Sequence, residues 1–151
     1  MRKLDITYSE NELTADDYIS FQQKMGWLAD GKAQLAKSLS NTLFSIIAKK
    51  DNEIIGMGRL LGDAAIYWYI NDVFILTEYQ GMGIGREIVK RLIKYAKQNS
   101  IAGTSISLYL MCAQGKEGFY EKIGFRCRPH ECEGSGMEME IDIDQSLLLE
   151  E

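Results

Sequence analysis

Proline occurs once in this chain and histidine once, and the three cysteines form no C-x-x-C pair. With a single proline and no low-complexity stretch, the sequence holds neither a proline-rich linker nor the composition of a disordered tail. Cys112, Cys127 and Cys132, with His130 as their only imidazole neighbour, fit no common zinc framework. No metal is therefore expected, and the thiols read as free ones in a reducing, cytoplasmic compartment. No apolar run approaches the length of a membrane span, and the start Met1-Arg2-Lys3-Leu4-Asp5 has no signal-peptide core, so no membrane is expected. Positive charge is also scarce: 17 Lys and Arg against 22 Asp and Glu leave a net charge of −5. A phosphate backbone demands a basic face, which argues against a nucleic-acid partner.

What is present is enough for a core. At 151 residues and 46% hydrophobic, the chain is expected to form one domain over 1–151. Leu4 to Tyr8 alternates like a first strand, and Thr14 with Asp17 makes a box-like cap for a helix running to about Trp27. A short helix near Lys32 to Leu39 follows. Leu43 to Lys49 and Glu53 to Leu61 read as a hairpin about Lys50-Asp51-Asn52, and a long strand ends at Leu76. Ile84, Ile88, Leu92 and Tyr95 recur at helical spacing, with Arg86, Lys90, Arg91, Lys94 and Lys97 on the wet face. A strand from Ser105 to Met111, a short helix from Lys116 to Ile123, a strand start at Gly124 to Cys127 and an alternating run from Met137 to Ile143 complete the order β-α-α-β-β-β-α-β-α-β-β. This is an α/β fold on a mixed sheet.

The segment Gln80-Gly81-Met82-Gly83-Ile84-Gly85-Arg86 joins the long strand to the long helix. Glycines at alternate positions let a ligand approach the backbone. The helix start beyond them offers unpaired N–H groups and the positive end of its dipole, a combination suited to phosphate. A dinucleotide turn would need G-x-G-x-x-G after the first strand and an acidic partner, and a Walker loop would need Gly-Lys-Ser/Thr. Neither pattern occurs.

The Q/R-x-x-G-x-G/A signature does occur, on Gln80, Gly83 and Gly85, and downstream Gly118-Phe119-Tyr120-Glu121-Lys122-Ile123-Gly124-Phe125 is similar to F-Y-x-K-x-G-F. Together these segments resemble the two hallmarks of the GNAT superfamily, the GCN5-related N-acetyltransferases that use acetyl-CoA. The element order resembles the GNAT fold, a mostly antiparallel sheet splayed at the cofactor site, over essentially the whole chain. Trp27, Gly58-Arg59, Tyr69 to Val73 and Gly115 to Tyr120 resemble a bacterial subgroup of small acetyltransferases. The asparagine that many relatives place after the fifth strand is replaced here by Cys112-Ala113-Gln114.

The resemblance implies acetyl-CoA as co-substrate and an amine of a small molecule or peptide as acceptor, with a homodimer as one assembly open to the chain. Gln80, Gly81, Met82, Gly83, Ile84, Gly85 and Arg86 would hold the pyrophosphate. Val73, Phe74 and Ile75 would meet the pantetheine through main-chain groups at a bulge, with the Ile75 amide facing the thioester carbonyl. Tyr120 would protonate the departing thiolate. For the base, Asp72, Tyr69 and a water relay compete. Strand alternation puts Tyr67, Tyr69 and Asn71 on one face and Asp72 on the other, so Asp72 and Tyr69 share a pocket only if a bulge intervenes. Trp27, Arg59 and Tyr67 would wall the acceptor pocket. A ping-pong route through Cys112 is the lesser mechanism. A second class of function, a non-catalytic acyl-CoA-binding module, would keep the glycine turn without needing Tyr120 or a base.

Overall fold

Thr14 and Asp17 form the reciprocal capping box their spacing predicts: the Asp17 amide donates 3.1 Å to the Thr14 hydroxyl, and the Thr14 amide donates 3.2 Å to the Asp17 carboxylate. They start α1 (Ala15–Lys24) in the computed structural model, which describes residues 5–143. The helix ends earlier than its sequence pattern, because Gly26 adopts φ +74° and Trp27 returns its amide to Gln22. That is a Schellman stop, and it leaves Trp27 in the loop beyond the helix.

The chain divides after Met111 into two compact units. The first contains β1 (Thr7–Glu10), α1, α2 (Lys32–Ser40), β2 (Phe44–Lys50), β3 (Glu53–Gly62), β4 (Tyr67–Ile75), α3 (Ile84–Gln98) and β5 (Ser107–Leu110). The strands lie in the order β1-β2-β3-β4-β5, antiparallel except for the parallel β4–β5 pair. Leu4, read as the start of the first strand, lies outside the described residues. The expected hairpin forms between β2 and β3, with Asp51 and Asn52 both at positive φ and Lys50 paired to Glu53. A two-residue loop of this kind matches the twist of its strands.

Helix α3 covers one face of the sheet with the stripe its periodicity predicts: Ile84, Ile88, Val89, Leu92 and Ala96 are buried. Two glycines of β3 allow the close approach. A Cβ on Gly58 would lie 2.6 Å from Ile88 Cγ2, and one on Gly56 would lie 3.3 Å from Ile88 Cδ1. Phe44 stacks on Tyr95 at 4.1 Å between ring centres, and Trp68 is buried against the edge of the same ring. Ile46, Leu60 and Ile70 are fully buried on this face and Met57 on the other, each contributing about 1.5–3 kcal/mol by leaving water. Helices α1 and α2 serve the opposite face, where Phe21 of α1 stacks on Phe74 of β4.

The second unit begins at Cys112 and contains α4 (Glu117–Glu121). Here the two closing strands expected from the sequence are not formed. Residues 125–129 and 134–143 are irregular, and the pairing in this stretch is one isolated bridge between His130 and Glu133. The alternation from Met137 to Ile143 is real, but Met137, Met139, Ile141 and Ile143 are all exposed. Alternation says which way side chains would point, whereas a strand also needs an edge to pair with and a surface to bury against.

Candidate functional site

The end of β4 departs from regular pairing in two ways. Between Met57 and Arg59 the register with β3 shifts: Gly58 alone opposes Asp72 and Val73, a one-residue bulge whose extra residue, Asp72, has φ +51°. Farther along, β5 pairs with β4 only from Tyr67 to Ile70, so among the described residues no strand pairs with the edge of residues 71–75 facing away from β3. This is the splay the resemblance implied. Leu76 donates its amide 2.9 Å to Ile55 of β3. Successive amides alternate in direction along a strand, so the Ile75 N–H points to the open edge. The Ile75 carbonyl, on that same edge, accepts a 3.0 Å hydrogen bond from the side-chain amide of Gln80.

Beyond Ile75 the chain makes a single 3-10 turn (Thr77–Tyr79) and enters the glycine segment. Gly81 and Gly83 sit at φ +77° and +84°, and Gly83 is the N-cap of α3 with no side-chain cap. A Cβ at either position would meet no protein atom within 4 Å. Conformation and outside access, rather than internal packing, call for glycine here. Among the described residues the amides of residues 81–86 find no protein acceptor, and the helix dipole adds positive potential. Met82 and Arg86 are exposed at this turn. A row of free amides at a helix start suits a phosphate group.

The bulge brings Asp72 to the face of Tyr69 and Asn71, where it meets Arg59. Arg59 Nε lies 2.6 Å from Asp72 Oδ2. The same guanidinium donates to Ser38 of α2 at 2.8 Å and to Thr42 at 2.9 Å, and sits 5.7 Å from the centre of the Tyr18 ring of α1. Arg59 is 5% exposed. The Tyr18 hydroxyl is held protonated well above its ordinary range, by burial first and then by the charge of Asp72 and a hydrogen bond to it. The contributions of Tyr18, Ser38 and Thr42 were not visible in the sequence, because each lies 17 to 54 positions from a partner and no local pattern links them.

Of the expected acceptor-side aromatics, Trp27 packs its edge on Phe74 at 4.7 Å with much of its ring in solvent, and Tyr67 is exposed and stacked on Tyr109 at 6.3 Å. Tyr69 lies two residues along from Tyr67, half-buried and opposite Leu61.

In the second unit Tyr120 lies on α4, half-buried, with Phe119 and Phe125 edge-on at 4.9 and 5.9 Å. Burial raises its pKa, and the neighbouring Cys112 thiol raises it further. Cys127 is exposed and its thiol donates to Glu121 at 3.5 Å, which raises its pKa. His130 pairs with Glu133 at 2.9 Å. Among the described residues, no group of three or more His, Cys, Asp or Glu could hold a metal ion, and no helix is long and apolar enough to cross a membrane.

A family model described as the acetyltransferase (GNAT) family matches residues 7–125. The chain is 27% identical over 146 residues to GCN5-related N-acetyltransferase 2, chloroplastic, of Arabidopsis thaliana, covering 83% of this chain and 55% of that protein. It is 30% identical over 105 residues to the uncharacterized N-acetyltransferase ycf52 of Pyropia yezoensis, covering 67% of this chain and 58% of that protein. The chain thus spans little more than half the length of these two relatives. Among solved structures, a Staphylococcus aureus protein of unknown function superposes with a TM-score of 0.77 at 28% identity, over 90% of this chain and 99% of that one. A GNAT family acetyltransferase from Streptococcus pneumoniae superposes with a TM-score of 0.68 at 25% identity, over 81% and 88%.

Proposed function

The chain belongs to the acetyltransferase (GNAT) family, and from that membership we propose that it moves an acetyl group from acetyl-CoA to a primary amine of a small molecule or peptide by direct attack. One observation carries the reading. The unpaired Ile75 N–H at the open edge of β4 is tied, through Gln80 on the Ile75 carbonyl, to the turn whose six amides are free. A phosphate anchor and an oxyanion donor joined by one short segment suit a thioester with a pyrophosphate at its far end.

Acetyl-CoA supplies the activated acyl group as a thioester. The amides from Gly81 to Arg86 hold its pyrophosphate, and the free edge of Val73 to Ile75 hydrogen-bonds the pantetheine. The Ile75 N–H faces the carbonyl oxygen on which negative charge grows, where a fixed dipole needs no reorganisation. Tyr120, kept protonated by burial, gives its proton to the departing sulfur. The acceptor enters over the face bearing Trp27, Tyr67 and Tyr69, and its ammonium gives one proton to water before the nitrogen attacks the carbonyl carbon. The second proton it loses as the carbon–sulfur bond breaks also passes to water, from which Tyr120 regains its own. Asp72, tied to Arg59, has a structural role in this scheme.

The test is calorimetric titration with acetyl-CoA together with thiol release on a panel of polyamines, amino sugars, amino acids and peptides. Saturable binding and acetylated product on at least one amine are expected. Tight binding with no product on any class would replace the enzyme with a non-catalytic acyl-CoA-binding module, and no binding would remove both readings.

A further inference from the structure

A buried ion pair is a poor way to gain stability, since apolar groups of the same volume commonly serve as well. Arg59 and Asp72 are nonetheless buried together, their side chains 6% and 12% exposed. The pair also sits at the one point where β4 leaves its register with β3. Asp72 is the extra residue and holds φ +51°, a conformation unfavourable for most side chains. Its carboxylate accepts from Arg59 Nε, and the Nη1 of the same guanidinium donates to Ser38 and Thr42.

The bulge determines which amide faces the open edge. Before it, β3 and β4 pair Arg59 with Asn71 and Leu61 with Tyr69, and the Asp63 amide donates to the Tyr67 carbonyl. Continued without a bulge, that ladder would direct the Ile75 N–H to the Ile55 carbonyl, because bonded pairs recur at every second residue. With the bulge, Leu76 makes that bond and Ile75 is released to the other edge.

We infer that the Arg59–Asp72 pair is a positioning device: it sets the β4 bulge and so selects Ile75 as the residue whose N–H is presented to the donor thioester. This rests on the acetyl-CoA reading for the identity of the donor, but not for the effect on the backbone. Tethering the guanidinium to α2 and placing it over Tyr18 holds the carboxylate at one point, and the positive φ of Asp72 follows from that constraint.

The test is the variant R59M/D72V, which removes both charges together and puts at 72 a β-branched residue that favours extended backbone. Amide hydrogen exchange by NMR reads the backbone without any ligand. In the wild type Leu76 is expected to be protected and Ile75 to exchange freely; in R59M/D72V the two are expected to swap. Affinity for acetyl-CoA and kcat are expected to fall about tenfold or more, while affinity for 3′,5′-ADP, which reaches only the phosphate turn, stays within about twofold. An unchanged exchange pattern with unchanged acetyl-CoA affinity overturns the inference. Should R59M/D72V not fold, R59K serves: it keeps the charge but replaces the rigid fork of Nε and Nη1 with one ammonium on a flexible stem, and Ile75 is expected to gain protection, with no gain overturning the proposal. A wild type that shows the exchange pattern but does not bind acetyl-CoA would instead sink the donor assignment and leave the backbone role intact.

Discussion

The side-chain amide of Gln80 donates to the carbonyl of Ile75 across 3.0 Å, fastening the glycine turn to the last residue of β4. Gln80 is exposed, so the bond is worth more to alignment than to stability. Without it, the free Ile75 carbonyl would compete for the edge on which the Ile75 amide acts.

Replacing Gln80 with alanine is therefore expected to raise KM for acetyl-CoA about fivefold, the equivalent of one hydrogen bond near 1 kcal/mol. Tm should move little. Steady-state kinetics beside a thermal melt would check both, and a Tm loss matched by unchanged KM would count against the alignment role.

Gly83→Ala separates conformation from contact. At φ +84°, with no protein atom within 4 Å of a new Cβ, the change is expected to lower stability by only about 1–2 kcal/mol through backbone strain. The methyl group stands where a bound phosphate would approach the amides. Acetyl-CoA affinity measured by calorimetry should thus fall much further than stability measured by urea denaturation.

Gly58→Ala is the opposite case, a change inside the protein with no ligand involved. Its Cβ would lie 2.6 Å from Ile88 Cγ2 and 3.1 Å from Leu92 Cδ1. Ile88 is stiff at χ1 on its helix, so α3 must shift, and a loss of about 1–3 kcal/mol is expected by denaturant titration.

The sequence made some of these features legible and hid others for physical reasons. The capping box at Thr14, the hairpin at Asp51-Asn52, the α3 stripe and the glycine turn are local: residues within four positions of each other decide them. The bulge at Asp72 is not local. Period-two alternation puts Asp72 on the face opposite Tyr69, and the bulge reverses that, bringing it to Arg59, thirteen positions earlier. The closing strands fail for a related reason. Met137 to Ile143 has a strand's alternation, yet its apolar side chains are exposed and the segment is irregular. Pattern shows what a segment could pair with, and a second segment must supply the edge.

Tyr18 predicts how stability varies with pH. Its hydroxyl stays protonated in the folded protein above the ordinary tyrosine range, whereas an unfolded tyrosine loses its proton near pH 10. Above that pH the unfolded chain binds fewer protons, so stability present at neutral pH is lost as pH rises. Tyr18→Phe should be less stable at pH 8, where the bond to Asp72 is gone, and should lose less than the wild type between pH 8 and 10.5. Parallel urea titrations at the two values decide it, and equal losses would mean that Tyr18 titrates alike in both states.

Tyr120→Phe tests the chemistry alone. The ring and its contacts with Phe119 and Phe125 are kept, so folding and donor binding should be preserved. Removing a positioned acid is expected to lower kcat about a hundredfold, with KM for acetyl-CoA changed much less. Because burial and Cys112 raise the pKa of this phenol, the protonated form persists into alkali. The wild-type kcat profile should therefore hold past the point where an ordinary tyrosine ionises and fall only beyond it, and the variant should lack that alkaline limb. A variant with kcat within twofold of wild type at neutral pH would show that sulfur leaves without help from this hydroxyl, and Tyr120 would then be a packing residue of the second unit.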